Sequence, residues 1–153
     1  MTTLKTPDSM TEEHHELFRK LRELAAGDDQ VAGEVRELLK VLEPHFEKEE
    51  KLAMPLLGVL KPLSKGEAIK DRSKFTSLHE RFLSEYPRML EEHKRIKRLI
   101  EKVRTITKKT NEQRALEVMD ELEHHAALEE EVLYPVAVLV LAIANANLTV
   151  HPL

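Results

Sequence analysis

Residues 124–135, HHAALEEEVLYP, bring together imidazoles, carboxylates and a proline. Imidazole nitrogen and carboxylate oxygen together suit iron, with manganese and zinc also accommodated. A second stretch, HFEKEEKLAMP at 45–55, repeats the histidine, two glutamates and the proline at matching places over the same length. Two more segments, EEHHELFRKL at 12–21 and EEHKRIKRLI at 91–100, each set a histidine ahead of matching apolar positions. The chain therefore reads as one design used twice.

Helical phase selects among these histidines, because residues at i, i+3, i+7 and i+10 share a face. His14 is followed on its face by Leu17, Leu21 and Leu24, whereas His15 is followed by Phe18, Arg22 and Ala25. Read backwards, His125 is preceded by Leu122, Val118 and Ala115, but His124 by Glu121, Glu117 and Arg114. His14 and His125 should point inward; His15 and His124 should not. His93 leads into Ile96, Ile100 and Val103, and His45 follows Leu42, Leu38 and Val35, so both face in. Glu49 and Glu129 stand one turn beyond His45 and His125 on the same faces.

The elements that must position these groups are helices. Only 4 glycines occur in 153 residues, charged residues make up 34 %, and no segment alternates with a two-residue period. A capping box at Ser9 and Glu12 opens a first helix that runs to about Ala26, with Gly27 as its stop. Asp28 or Asp29 caps a second, to about Leu60, and a loop with Pro62 and Gly66 follows. A third helical region runs from about Asp71 to Lys108. Thr110 with Gln113 caps a fourth, which continues into the apolar run 136–144. Pro44, Pro87 and Pro135 fall inside these helices and should kink or break them; Pro87 would set apart an extra short helix near 64–85. The prediction is an all-α, up-down four-helix bundle, a single domain over 1–153 with its core at about 9–140. The apolar C-terminal extension, 136–153, offers a homodimer contact.

His14 and His45 are 31 residues apart about a turn near Asp29, and His93 and His125 are 32 apart about Lys109. Residues equidistant from the turn of an antiparallel hairpin lie level. Two such hairpins would put four histidines and two glutamates in one layer of the core. Two buried carboxylates require a cation or a partner, and no lysine or arginine falls on these stripes. A metal centre follows, and six ligands over four helices suit two ions better than one tetrahedral zinc.

The twofold H-x-x-x-E-E, each copy preceded by a histidine on the helix before it, resembles the hemerythrin-like (HHE cation-binding) domain family. The resemblance spans about residues 9–140. It implies a non-haem di-iron centre, oxo- or hydroxo-bridged, with His14 and His45 on one iron, His93 and His125 on the other, and Glu49 and Glu129 bridging. Oxygen carriers of the family have a further histidine one turn from the first on the third helix; Met89 and Lys97 stand there in this chain. Water, Tyr86 or His79 would have to complete that iron. The carriers' last carboxylate lies five residues after the last histidine, which makes Glu130 the reserve for Glu129.

The resemblance implies binding of, or reaction with, O2, H2O2 or NO, including a catalase-like oxidoreductase activity. Iron or oxygen sensing, or iron storage, through a partner is the alternative, and a metal-free interaction module the third reading. A net charge of -4 demands no nucleic acid. The absence of cysteine excludes disulfides, thiolate metal sites and thiol catalysis, and fits a reducing, cytoplasmic setting. No stretch is apolar for long enough to span a membrane, and MTTLKTPDSM lacks a signal-peptide core. HHELFR at 14–19 lacks the second histidine of a zinc protease, and the basic stretch 94–109 reads as a solvated helix end.

Overall fold

The computed structural model describes residues 4–110 and 112–146. Four long helical rods form an up-down bundle: α1 (Asp8–Ala25), α2 (Gln30–Lys48), α5 (Arg72–Thr110) and α6 (Gln113–Leu128). Beyond α2 a π turn (Glu49–Ala53) leads into α3 (Met54–Leu57), and α4 (Leu60–Ser64) follows. Beyond α6 a second π turn (Glu129–Leu133) leads into α7 (Tyr134–Asn145). No strand occurs among the described residues. Each rod packs on its two neighbours in the order α1, α2, α5, α6 and back to α1.

The apolar stripes form two separate cores. One, at the end of the bundle that holds the α1–α2 turn, gathers Leu17, Leu21, Leu38, Leu42, Ile100 and Leu122 with their neighbours. The other gathers Met54, Leu56, Phe75, Phe82, Met89 and Tyr134 around α3, α5 and α7. The histidines and glutamates singled out above lie between the two, so hydrocarbon bounds them on both sides.

The prolines act according to which way their bare carbonyl faces. Pro44 and Pro87 are exposed, so the carbonyls they leave unpaired can turn to water and their helices continue. The expected division at Pro87 is absent: residues 72–85 are the first turns of the 39-residue α5. Pro55 and Pro135 act differently. Each follows a π turn, in which the amide of Met54 or Tyr134 reaches back five residues to the carbonyl of Glu49 or Glu129. The wider turn accommodates the missing N–H and the ring.

The helix starts also differ in part from expectation. Asp29 caps α2, accepting from the Ala32 amide at 2.8 Å. Helix α1 begins at Asp8 behind Pro7 without a side-chain cap, so the Ser9–Glu12 box does not form. Helix α6 likewise starts uncapped after Glu112, because the Thr110 hydroxyl is used on the Thr107 carbonyl at the end of α5. The basic stretch 94–109 is partly neutralised, Arg104 reaching Glu101, Asp120 and Glu123. Helix α7 is not buried on every side: Tyr134, Ala137 and Val140 face in, while Leu139 and Ile143 are 55 % and 42 % exposed. Among the described residues, no helix is long and apolar enough to cross a membrane.

The N-terminal segment is strapped over the second hydrophobic cluster. The Thr6 hydroxyl donates to the Glu50 carbonyl at 3.1 Å. A Cβ at Gly58 would stand 2.0 Å from the Lys5 carbonyl oxygen, so only glycine allows the strap to pass. Gly58→Ala should therefore cost about 1–3 kcal/mol, the range for overpacking. Urea unfolding checks this; an unchanged midpoint would show that the strap contributes no stability.

Candidate metal centre

His14, His45, His93 and His125 are 1, 1, 1 and 4 % exposed, and Glu49 and Glu129 are 0 and 1 % exposed. His15 and His124 are exposed, as phase required. The six inner residues meet in one layer as two overlapping groups. His14, Glu49, His125 and Glu129 form the first; His45, Glu49, His93 and Glu129 form the second. Glu49 and Glu129 belong to both.

The histidines pair across the hairpins, not within them. His14 Nε2 lies 3.2 Å from His125 Nε2, and His45 Nε2 lies 2.9 Å from His93 Nε2. The expected partners, His14 with His45 and His93 with His125, are corrected accordingly. The level was read properly from the spacing, but within a square of helices the rotation of each helix decides which neighbour an imidazole approaches. His14 turns toward α6, and His45 toward α5.

Each outer ring nitrogen meets a carboxylate on a neighbouring helix. Nδ1 of His14 lies 3.1 Å from Glu50, that of His45 2.7 Å from Glu92, that of His93 2.9 Å from Glu130, and that of His125 2.6 Å from Glu13. These four contacts run around the bundle and close on themselves: α1 to the π turn after α2, α2 to α5, α5 to the π turn after α6, and α6 to α1. An ionised carboxylate only accepts, so Nδ1–H donates, and in the neutral ring Nε2 turns a lone pair inward. That is the tautomer a metal ligand needs, held by the hydrogen-bonded carboxylate that commonly stands behind one.

This donor set fits a cation. Paired Nε2 atoms 2.9 and 3.2 Å apart need a proton or a cation between them, because two facing lone pairs repel. Glu49 Oε2 and both oxygens of Glu129 are buried without a hydrogen-bond partner among the described residues. Burial tends to raise the Glu49 pKa, but hydrogen bonds with Glu129, His14, His45 and His93 hold it well below the usual carboxylate range. Burial, reinforced by the charge on Glu49, pushes Glu129 well above that range. Without a cation the two carboxyls thus share one negative charge.

Tyr134 completes the layer and was not foreseen. Its hydroxyl donates to Glu49 Oε1 at 2.6 Å and lies 3.2 Å from His93 Nε2 and 3.4 Å from His45 Nε2. Burial and the charges of Glu49 and Glu129 keep the phenol protonated. The residues expected to compensate for the absent fifth histidine lie elsewhere. Tyr86 packs edge-on against Tyr134 with centroids 5.7 Å apart. His79 donates from Nε2 to the Val138 carbonyl at 2.8 Å. Glu130 supports His93 from outside, Met89 is core, and Lys97 reaches out to Glu130.

A family model described as the hemerythrin HHE cation binding domain matches residues 6–137, and again 84–151, a span that contains His93, His125 and Glu129. No match was found among curated proteins or solved structures.

Two outcomes are expected. His125→Ala should lower the loading of a divalent cation at least about tenfold in affinity, and His124→Ala should leave it unchanged; equal losses would contradict the inward assignment. Glu129 must also lose a proton when a cation arrives, because its folded pKa is raised. Cation affinity should therefore rise with pH above the ordinary carboxylate range, with proton release visible by calorimetry in buffers of different ionisation heat. In the cation-free protein the sign is opposite. The raised Glu129 pKa makes folding less favourable as pH climbs from that range toward the raised value.

Proposed function

Because the chain belongs to the hemerythrin HHE cation-binding family, we propose that its buried layer holds two iron ions and that the loaded protein reacts with dioxygen or hydrogen peroxide, or binds nitric oxide. The observation that carries this reading is the pair of four-residue groups sharing Glu49 and Glu129. His14 and His125 would hold one ion and His45 and His93 the other, with both glutamates common to the two. An iron pair supplies electrons one at a time and offers coordination positions to a small molecule.

The chain's own residues determine what can react. The inner six are at most 4 % exposed and lie between two apolar cores, so the layer excludes bulk water and organic substrates. Glu13, Glu50, Glu92 and Glu130 fix the imidazole planes and keep the proton on Nδ1. Tyr134 holds a proton at Oη beside Glu49 and the His45–His93 pair, where it can donate to a small ligand. The face of α5 that would carry a fifth histidine presents Met89 instead, which supports a reactive centre over a reversible carrier.

Stopped-flow absorption of the reduced, iron-loaded protein mixed with dioxygen, peroxide or nitric oxide tests this reading. Two irons per chain and a rapid visible change with at least one of these ligands are expected. Tyr134→Phe should keep the iron and change the rate by at least about tenfold. Iron uptake with no reaction would point instead to sensing or storage. No iron uptake would remove the metal reading.

A further inference from the structure

The two halves of the layer share both glutamates and the same outer ring of carboxylates, but differ in what holds those carboxylates and in the walls around them. Behind the His45–His93 half, each outer carboxylate is clamped by a lysine: Lys48 Nζ lies 2.5 Å from Glu92, and Lys97 Nζ lies 3.0 Å from Glu130. Behind the His14–His125 half, Glu50 and Glu13 have no lysine or arginine partner among the described residues. Their side chains are 36 and 48 % exposed, against 23 and 27 % for Glu92 and Glu130.

The walls differ in the same sense. Tyr134, Phe82, Tyr86 and Met89 close the His45–His93 half, with Tyr134, Phe82 and Met89 at 0 % exposure. On the other side a cleft of about 800 Å³ opens between α1 and α2, lined by His14, Phe18, Arg22, Glu43, Phe46 and Glu50. The His14 ring lies flat on Phe46 at its floor, with centroids 4.0 Å apart and planes 8° apart. A second cleft, of about 540 Å³ between α2 and α5, reaches Lys48 and Glu92 but neither His45 nor His93, whereas the α1–α2 cleft is lined by His14 itself.

We propose that the layer is a two-rate cation site: the His14–His125 half exchanges its divalent cation through the α1–α2 cleft, and the His45–His93 half retains its own. This rests on the two-cation reading above. The physical cause is the outer ring. A carboxylate fixed by lysine keeps its imidazole aimed inward, so a cation there must leave against an immobile ligand. A carboxylate at the edge of an open cleft, as Glu50 is, can swing away and release its histidine.

The test uses the full chain loaded with two equivalents of cobalt(II) and chased with excess chelator, read by visible absorption. Two release phases of equal amplitude are expected, at least tenfold apart in rate. Lys48→Met and Lys97→Met, both at half-buried positions outside the layer, should speed the slow phase on the order of tenfold and leave the fast phase unchanged. Glu43→Trp, which fills the cleft mouth, should slow only the fast phase. A single phase for both cations, or lysine variants that act on the fast phase, would overturn the proposal while leaving the two-cation reading intact. Failure of the chain to take up cobalt at all would overturn both.

Discussion

Glu49 and Glu129 occupy a space that hydrocarbon bounds above and below, with imidazole lone pairs aimed at them from four helices. Carboxylates at that depth are costly unless something positive is shared among them. Protons serve in part: Glu129 is driven to hold one, and hydrogen bonds with Glu49 and Glu92 outweigh the burial that disfavours a charged His45. A proton, however, serves only the pair of carboxyls that shares it and leaves the paired Nε2 atoms crowded. A bound cation would meet all of these demands at once. The fold is arranged so that its interior is complete only when charge is supplied to it.

The means of holding the layer are economical in sequence. Each outer glutamate is the chain neighbour of an inner ligand: Glu13 precedes His14, Glu50 follows Glu49, Glu92 precedes His93, and Glu130 follows Glu129. One residue of each doublet faces the core and the next reaches sideways to the adjacent helix. Every helix therefore contributes both a ligand and the support for a neighbour's ligand. Because the inner histidines pair across the hairpins, each cation would also join the first half of the chain to the second.

The bundle, the inner six and the outward His15 and His124 were legible because a regular helix converts spacing directly into direction. What escaped was whatever departs from that regularity. On a straight helix Tyr134 would sit about 140° around from Glu129 and point away from the layer. The π turn ahead of Pro135 absorbs the extra residue and swings the phenol in. The repeat did contain a clue, since Met54 and Tyr134 both precede a proline ten residues after an inner histidine, but periodicity alone gives that position no meaning. The cross-hairpin pairing was hidden for a related reason: spacing from a turn sets height along the bundle, not rotation about each helix. Pro87 misled because the effect of a proline depends on whether its orphaned carbonyl meets water or core, and only the packed structure decides that.

Anomalous-scattering crystallography of the protein loaded with a divalent cation gives the most direct measurement of the central claim. Two cation peaks should appear in the buried layer, one between His14 and His125 and the other between His45 and His93, with Glu49 and Glu129 reaching both. A single peak, peaks bound by His14 with His45 and by His93 with His125, or cations found only at surface carboxylates would contradict the account.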